Sequence, residues 1–293
     1  MEIIDTHMHL WTPETHPWVL DFKDGGHPAG KWESVLTYLT DDYKKDTEGH
    51  NVVQCVHVEA VFPGDPVGET IWLNGLADST GIPTAIVGYC DLSSPDAEDI
   101  LKRHSEHKRM RGIRNMLNFH KTHPEYSAVS HDDYLTDPNW IRGFALLEKY
   151  NLSFELHILC GQMQRAAAVM RDHPGVMVMV DHCGVPYEKT PESMKLWREG
   201  LQELAKYPNV YAKVSGMFAT DPKWSQQSIE DVVKPVLEIF GIDRCVFASN
   251  FPVDKINGTF QQLLSALEPI LSAYSKEDQQ KFYAGNARKF YKL

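Results

Sequence analysis

Short apolar segments rich in β-branched residues alternate along the chain with longer segments of helical periodicity. Eight segments have the length and composition of buried strands; they cover residues 2–9, 52–59, 83–91, 110–115, 152–159, 176–182, 210–215 and 245–250. Helices are predicted over residues 67–80, 95–107, 138–150, 162–173, 191–207, 228–240, 259–274 and 276–291. Repeated alternation of strand and helix predicts an α/β fold, a parallel sheet closed into a (β/α)8 TIM barrel.

The alternation runs through the chain without a linker or a low-complexity break, which predicts one domain over residues 1–293. A length near 300 residues is ordinary for a single α/β barrel. Two loop insertions interrupt the pattern, at about residues 12–32 and 118–137. Each follows a strand, so we expect both to lie on the catalytic face of the barrel and to cover the site.

Charge and composition narrow the classes of partner. The chain has 40 acidic and 29 basic residues and a formal charge of −11, which disfavours nucleic acid and anionic membranes as partners. No segment has the length of an apolar membrane span, and residues 1–5 lack a signal-peptide pattern, so we expect a cytoplasmic protein. The five cysteines form no Cys-x-x-Cys pair and are expected to be reduced. The expected partner is a small-molecule substrate. Assembly into a homo-oligomer is an open alternative.

The first strand contains the sequence IIDTHMHLW at residues 3–11. Alternate side chains of a strand share a face, so Asp5, His7 and His9 are expected to project together. Taken alone, two structural histidines in a packed strand explain this short pattern equally well.

The carboxyl ends of the other strands carry further polar groups. Parity predicts that His57 and Glu59 face the barrel lumen and that Val56 and Val58 face the helices. The remaining groups at strand ends are Asp91, Arg114, Glu155, His157, Asp181, His182, Lys213, Ser215, Asn250 and Asp254. A structural role is open for each, such as Glu155 neutralising Lys213 or Asp181 capping a helix. Ionisable groups at nearly every strand end favour one shared site, because isolated charges are rarely buried.

Six motifs in fixed order resemble the amidohydrolase superfamily, specifically its amidohydrolase 2 branch. They are DTHMHLW at 5–11, RGIR at 111–114, DHCGVP at 181–186, KVSG at 213–216, SNFPVD at 249–254 and NARKFY at 286–291. The branch includes lactonases of sugar acids and of pyrone dicarboxylates, and the chain is more similar to these than to the zinc-dependent decarboxylases. The resemblance implies a hydrolase that opens the lactone ring of a small carboxylated or polyhydroxylated substrate by water attack on the carbonyl.

The resemblance also implies a divalent ion, zinc first, held by His7, His9, His157 and His182. Asn250 stands where metal-using relatives have an aspartate, and its amide is not an effective proton acceptor. Two alternatives therefore stay open: one divalent cation, or no required cofactor.

Because Asn250 cannot be the general base, Glu59 and Asp254 are the candidates for that role. The predicted catalytic residues are His7, His9, Glu59, His157, His182 and Asp254. Arg114, Asn250 and Trp11 are predicted to bind substrate, since a guanidinium suits carboxylate or hydroxyl groups and an indole suits a ring face.

Two other functions compete with the lactonase. The first is a metal-dependent decarboxylase or hydratase, which predicts tightly bound metal. The second is a non-catalytic barrel that only binds a sugar acid, which predicts a shift in melting temperature without release of acid.

Overall fold

The computed structural model describes residues 1–293 and contains one eight-stranded parallel sheet with strand order β1 to β8. The strands are β1 Ile3–Met8, β2 Val52–Val58, β3 Ala85–Tyr89, β4 Met110–Arg114, β5 Ser153–Leu156, β6 Val178–Val180, β7 Val210–Val214 and β8 Cys245–Phe247. Each lies inside a predicted strand segment. The prediction of a (β/α)8 barrel is confirmed.

The barrel closes between the end of β8 and β1. The backbone N–H of Asn250 donates to the backbone carbonyl of His7, and the backbone N–H of His9 donates to the backbone carbonyl of Phe251, both at 2.8 Å. These bonds place Asn250 directly beside the two histidines of β1.

Helices surround the sheet. They are α1 Thr40–Asp46, α2 Gly68–Thr80, α3 Ala97–Ser105, α4 Pro138–Lys149, α5 Met163–Asp172, α6 Pro191–Ala205, α7 Met217–Thr220, α8 Gln226–Phe240, α9 Phe260–Leu271, α10 Lys276–Gln280 and α11 Asn286–Tyr291. The sequence did not predict α1, whose signals are two acidic residues in the first turn and two lysines in the last. The predicted final helix is divided by a π-helical segment, Lys281–Gly285. No helix has the length and apolar composition needed to cross a membrane.

A small apolar cluster fills the barrel interior. Val56 and Val58 belong to it, together with Tyr211 of β7 and Phe290 and Tyr291 of α11. The prediction that Val56 and Val58 face the helices is therefore wrong, because branched side chains fill the interior of such barrels.

His57 lies on the opposite face of β2 and does not face the lumen as predicted. Its ring nitrogens have no hydrogen-bond partner, and burial lowers the pKa of His57 to about 3. Its neighbour Cys55 packs in the larger cluster, which the strands share with the surrounding helices. His57 is thus a buried neutral imidazole on the helix-facing side of β2.

Candidate active site

A cavity of about 530 Å³ opens at the carboxyl ends of the strands. Six of the predicted site residues line it: His9, Trp11, Arg114, His157, His182 and Asn250. Residues of both insertions complete the wall, among them Trp18, Trp32 and Tyr126. Three predicted catalytic residues, His7, Glu59 and Asp254, are buried behind this lining.

A register shift in β1 separates Asp5 from the histidines. The pairing with β2 is irregular between Asp5 and Met8. The Asp5 carboxylate accepts hydrogen bonds from Tyr43 of α1 at 2.9 Å and from the Ser249 hydroxyl at 2.6 Å. The prediction that Asp5 projects with His7 and His9 is wrong, because an extra residue in one strand changes the parity. Asp5 instead ties β1 to α1 and to the end of β8.

His7 and His9 face each other at the centre of the site. Their Nε2 atoms are 3.2 Å apart. His9 Nδ1 lies 2.8 Å from the Val58 carbonyl oxygen, which only accepts, so the His9 proton is on Nδ1 and its Nε2 accepts hydrogen bonds. Burial lowers the pKa of both imidazoles well below the usual range. Both histidines are therefore neutral at pH 7.

His157 and His182 approach from neighbouring strands, with ring centroids 5.2 Å apart. His182 Nδ1 lies 2.9 Å from the Ser215 hydroxyl. Burial lowers the pKa of His157 to about 4. His182 has φ of +49° and Asn250 has φ of +57°, both in the left-handed region. Such strained backbone is typical of functional sites, where the surrounding structure holds a side chain in place.

Asp181 lies behind the histidines, where Lys213 balances its charge. Its carboxylate is 3.1 Å from Lys213 Nζ, 3.5 Å from His7 Nδ1 and 3.9 Å from His157 Nδ1. Burial alone would raise the pKa of Asp181, but Lys213 and His7 hold it well below its usual range. The sequence placed Asp181 at a strand end without a catalytic role. The sequence signal that could have indicated a role in the site is its position directly before His182.

Glu59 holds Arg114 in the site. Arg114 Nε donates to Glu59 Oε1 at 2.7 Å, and Arg114 Nη2 donates to the Glu59 carbonyl oxygen. The second carboxylate oxygen accepts from the Val61 amide at 2.9 Å. Both oxygens of Glu59 are thus engaged, and the geometry gives this residue a positioning role.

Asp254 is enclosed below Asn250. Its carboxylate accepts from Asn250 Nδ2 at 3.1 Å and from the Ala219 amide at 3.0 Å. Burial raises the pKa of Asp254 to about 7, although these hydrogen bonds oppose the shift. The carboxylate fixes Asn250 and the start of α7, and it does not reach the cavity wall.

Aromatic rings form the outer wall. Trp11 stacks on Trp32 with centroids 5.2 Å apart and on His9 at 5.6 Å. The Trp11 indole donates to the Val35 carbonyl at 2.6 Å, and that of Trp18 donates to the Ala60 carbonyl at 2.9 Å. Because the N–H groups already have partners, Trp11 and Trp18 contribute ring edges and faces, and no free donor, to the lining of the cavity.

Comparison with protein-family models supports the same family as the six sequence motifs. A model described as Amidohydrolase matches residues 4–293. The chain belongs to the amidohydrolase family. The resemblance inferred from the six motifs is confirmed.

Three similar proteins span this amidohydrolase from end to end. An uncharacterized protein, y4mH, of Sinorhizobium fredii (strain NBRC 101917 / NGR234) is 36% identical, over 99% of this chain and 98% of its own length. An L-fucono-1,5-lactonase of Burkholderia ambifaria is 26% identical, over 99% of this chain and 95% of its own length. The crystal structure of an amidohydrolase from Burkholderia multivorans with bound zinc superposes with a TM-score of 0.82 at 24% identity, covering 100% of both chains.

The donor groups of this amidohydrolase fit a divalent cation. One ligand atom each from His7, Asp181 and His182 lies within 4.8 Å of the others. Both Asp181 oxygens are buried without an aligned hydrogen-bond donor, although the Lys213 ammonium is near. A carboxylate beside two imidazoles is donor chemistry that suits such ions. This group differs from the predicted four histidines, because Asp181 belongs to it and His9 and His157 do not.

Proposed function

We propose that this amidohydrolase hydrolyses neutral, polyhydroxylated lactones of the aldonolactone type. The observation that carries the proposal is the charge of the cavity wall. Arg114 is the only lysine or arginine that lines the cavity, and Glu59 already neutralises it across 2.7 Å. Asp21 and Glu125 add negative charge to the wall.

A dicarboxylated lactone meets no free cationic side chain in this cavity. Burying an unpaired carboxylate costs several kcal/mol, on the order of the full binding energy of a small ligand. A neutral sugar lactone needs only hydrogen bonds and a ring surface. Arg114, Asn250 and the histidines provide the polar groups, while Trp11 and Trp18 provide the surface. The name of the Burkholderia ambifaria relative, L-fucono-1,5-lactonase, agrees with this class of substrate.

Hydrolysis requires a base for water and donors for the developing oxyanion. His157 Nε2 takes the proton of the attacking water, and the imidazolium that forms is stabilised by Asp181, 3.9 Å from Nδ1. Arg114 Nη1, the guanidinium nitrogen not bound to Glu59, donates to the carbonyl oxygen together with Asn250 Nδ2. When the ring C–O bond breaks, His157 returns the proton to the departing alkoxide and the free hydroxy acid results.

A divalent cation, with zinc as the proposed ion, would be held by His7, Asp181 and His182. When bound, it supplies Lewis-acid polarisation of the carbonyl. His9 remains available to orient the substrate, since its Nδ1 proton is fixed on the Val58 carbonyl.

The test is a lactone panel assayed with a pH indicator, with the spontaneous rate in buffer subtracted. It contains L-fucono-1,5-lactone, other aldonolactones and 2-pyrone-4,6-dicarboxylate. We expect acid release from one or more aldonolactones and none from the dicarboxylate. His157→Gln should abolish turnover, while His107→Gln, a change remote from the cavity, should leave it unchanged.

Preferred turnover of the dicarboxylate would contradict the proposed substrate class. A lactone that raises the melting temperature without releasing acid would support the non-catalytic binder instead. Loss of CO₂ or of water from a carboxylic acid would support the decarboxylase or hydratase.

A further inference from the structure

A buried chain of polar contacts runs from the carboxyl-terminal helix to the catalytic face. The Tyr291 hydroxyl donates to Glu155 Oε1 at 2.5 Å. The other oxygen of Glu155 accepts from Lys213 Nζ at 2.5 Å. All three side chains are almost completely buried.

Lys213 connects this contact to the site. Its Nζ lies 3.1 Å from Asp181 Oδ1 and 3.3 Å from His7 Nδ1. The Tyr291 ring also contacts the ammonium, with Nζ 6.0 Å from the ring centroid. The ammonium therefore lies between two carboxylates, one toward α11 and one toward the histidines.

The Tyr291 hydroxyl fixes how Glu155 shares its oxygens. With one oxygen bound to the hydroxyl, only the other is directed at Lys213, which leaves the ammonium within reach of Asp181. Without the hydroxyl, Oε1 would be a buried carboxylate oxygen lacking a donor, and such groups take new partners. The nearest donor is Lys213 Nζ, which already contacts the other oxygen of Glu155. Both carboxylate oxygens of Glu155 would then bind the ammonium and move it away from Asp181 and His7.

We propose that Tyr291, two residues from the end of the sequence, is a positioning residue of the active site that acts through Glu155 and Lys213 on Asp181. The kinetic test of this inference rests on the proposed lactonase function. The spectroscopic test rests only on the contacts described above. The last turn of α11 then positions active-site groups, in addition to packing in the interior cluster.

Tyr291→Phe tests this, since it removes the hydroxyl and keeps the ring. We expect kcat on the aldonolactone to fall about tenfold, the value of one hydrogen bond to a charged group, with KM unchanged. Tyr211→Phe is the matched control, because Tyr211 packs in the same interior cluster against Phe290 and does not bond Glu155. It should leave kcat unchanged.

A second measurement does not depend on turnover. In protein labelled with ¹⁵N-histidine, the imidazole resonances of His7 and His157 should shift in Tyr291→Phe and stay in place in Tyr211→Phe. Glu155→Gln should lower kcat as well, and adding Tyr291→Phe to it should have little further effect.

Two results would overturn the proposal. One is an unchanged imidazole spectrum in Tyr291→Phe. The other is a loss of kcat that is equal in the two tyrosine variants, which would reduce Tyr291 to packing. If no lactone is hydrolysed by the unaltered protein, the substrate proposal fails and the imidazole spectra still decide the role of Tyr291.

Discussion

The Asn250 side chain donates a hydrogen bond of 3.1 Å to the carboxylate of Asp254. Both side chains are buried, and Asn250 lies where metal-using relatives are expected to have an aspartate. An aspartate at that position would set two buried carboxylates against each other. The side-chain amide of Asn250 instead supplies a neutral hydrogen-bond donor to the Asp254 carboxylate.

Asn250→Asp should destabilise the protein by about 3 kcal/mol at pH 8, because the new carboxylate meets a buried like charge. At pH 5 the loss should be smaller, since the two carboxyl groups can share a proton. Thermal melts at both pH values measure the effect. Asn115→Asp is the control for burying a single carboxylate, because Asn115 is also buried and an aspartate keeps the bond accepted from Trp140 at 3.0 Å; the difference between pH 8 and pH 5 should be larger for Asn250→Asp. An equal loss at both pH values would contradict the pairing.

Asp254 should make stability depend on pH. Its pKa is about 7 in the folded protein, against an ordinary value of 3.8. Between these values the folded state keeps a proton that the unfolded chain has lost, so stability falls as the pH rises from about 4 to 7, by on the order of 4 kcal/mol. Denaturant unfolding across this range should show the slope. Asp254→Asn should flatten it whatever its absolute stability, and the exposed substitution Asp41→Asn should preserve it.

Glu59→Gln should destabilise the protein by about 3 kcal/mol, because it removes the carboxylate 2.7 Å from the buried Arg114 guanidinium and leaves only Asp181, 3.9 Å away. Replacing both residues with methionine should recover much of that loss, since no charge remains, and should abolish turnover. Chemical unfolding and the lactone assay measure the two effects. Full turnover in the double variant would remove Arg114 from the substrate-binding residues.

The pH profile of kcat/KM should report the proposed base. Burial lowers the pKa of His157 to about 4, so the neutral imidazole predominates above that pH. We expect activity to fall as the pH drops through about 4 and to be level from there toward neutrality. An acidic limb near pH 7 that persists in Asp254→Asn, which removes the group of pKa about 7 beside Asn250, would indicate a different base.

Zinc should stabilise the protein through His7, Asp181 and His182. Addition of zinc to chelator-treated protein should raise the melting temperature, as expected for a ligand that binds only the folded state. Asp181→Asn should remove the shift, while Asp41→Asn should keep it. The same shift in both variants would place the ion elsewhere.

The local pattern of the sequence was sufficient for the barrel and for part of the site. Strand and helix periods are set by neighbouring residues, and the parallel order follows from their alternation. Side chains at the carboxyl ends of parallel strands must meet, which is why His9, His157, His182, Arg114 and Asn250 could be brought together from sequence. Side-chain parity was less dependable, as Asp5 and His57 illustrate, because one extra residue in a strand reverses every later position.

Only the tertiary structure decided which charges neutralise one another. Glu59 and Arg114 are 55 positions apart, and Tyr291 reaches Glu155 across 136. No period or motif records such pairs, since they depend on distances of a few ångströms between side chains that folding brings from separate elements. The sequence by itself determined the fold and the chemical groups at the strand ends. Packing in a low-dielectric interior determined which of those groups stay free to react, because every buried charge there requires a partner.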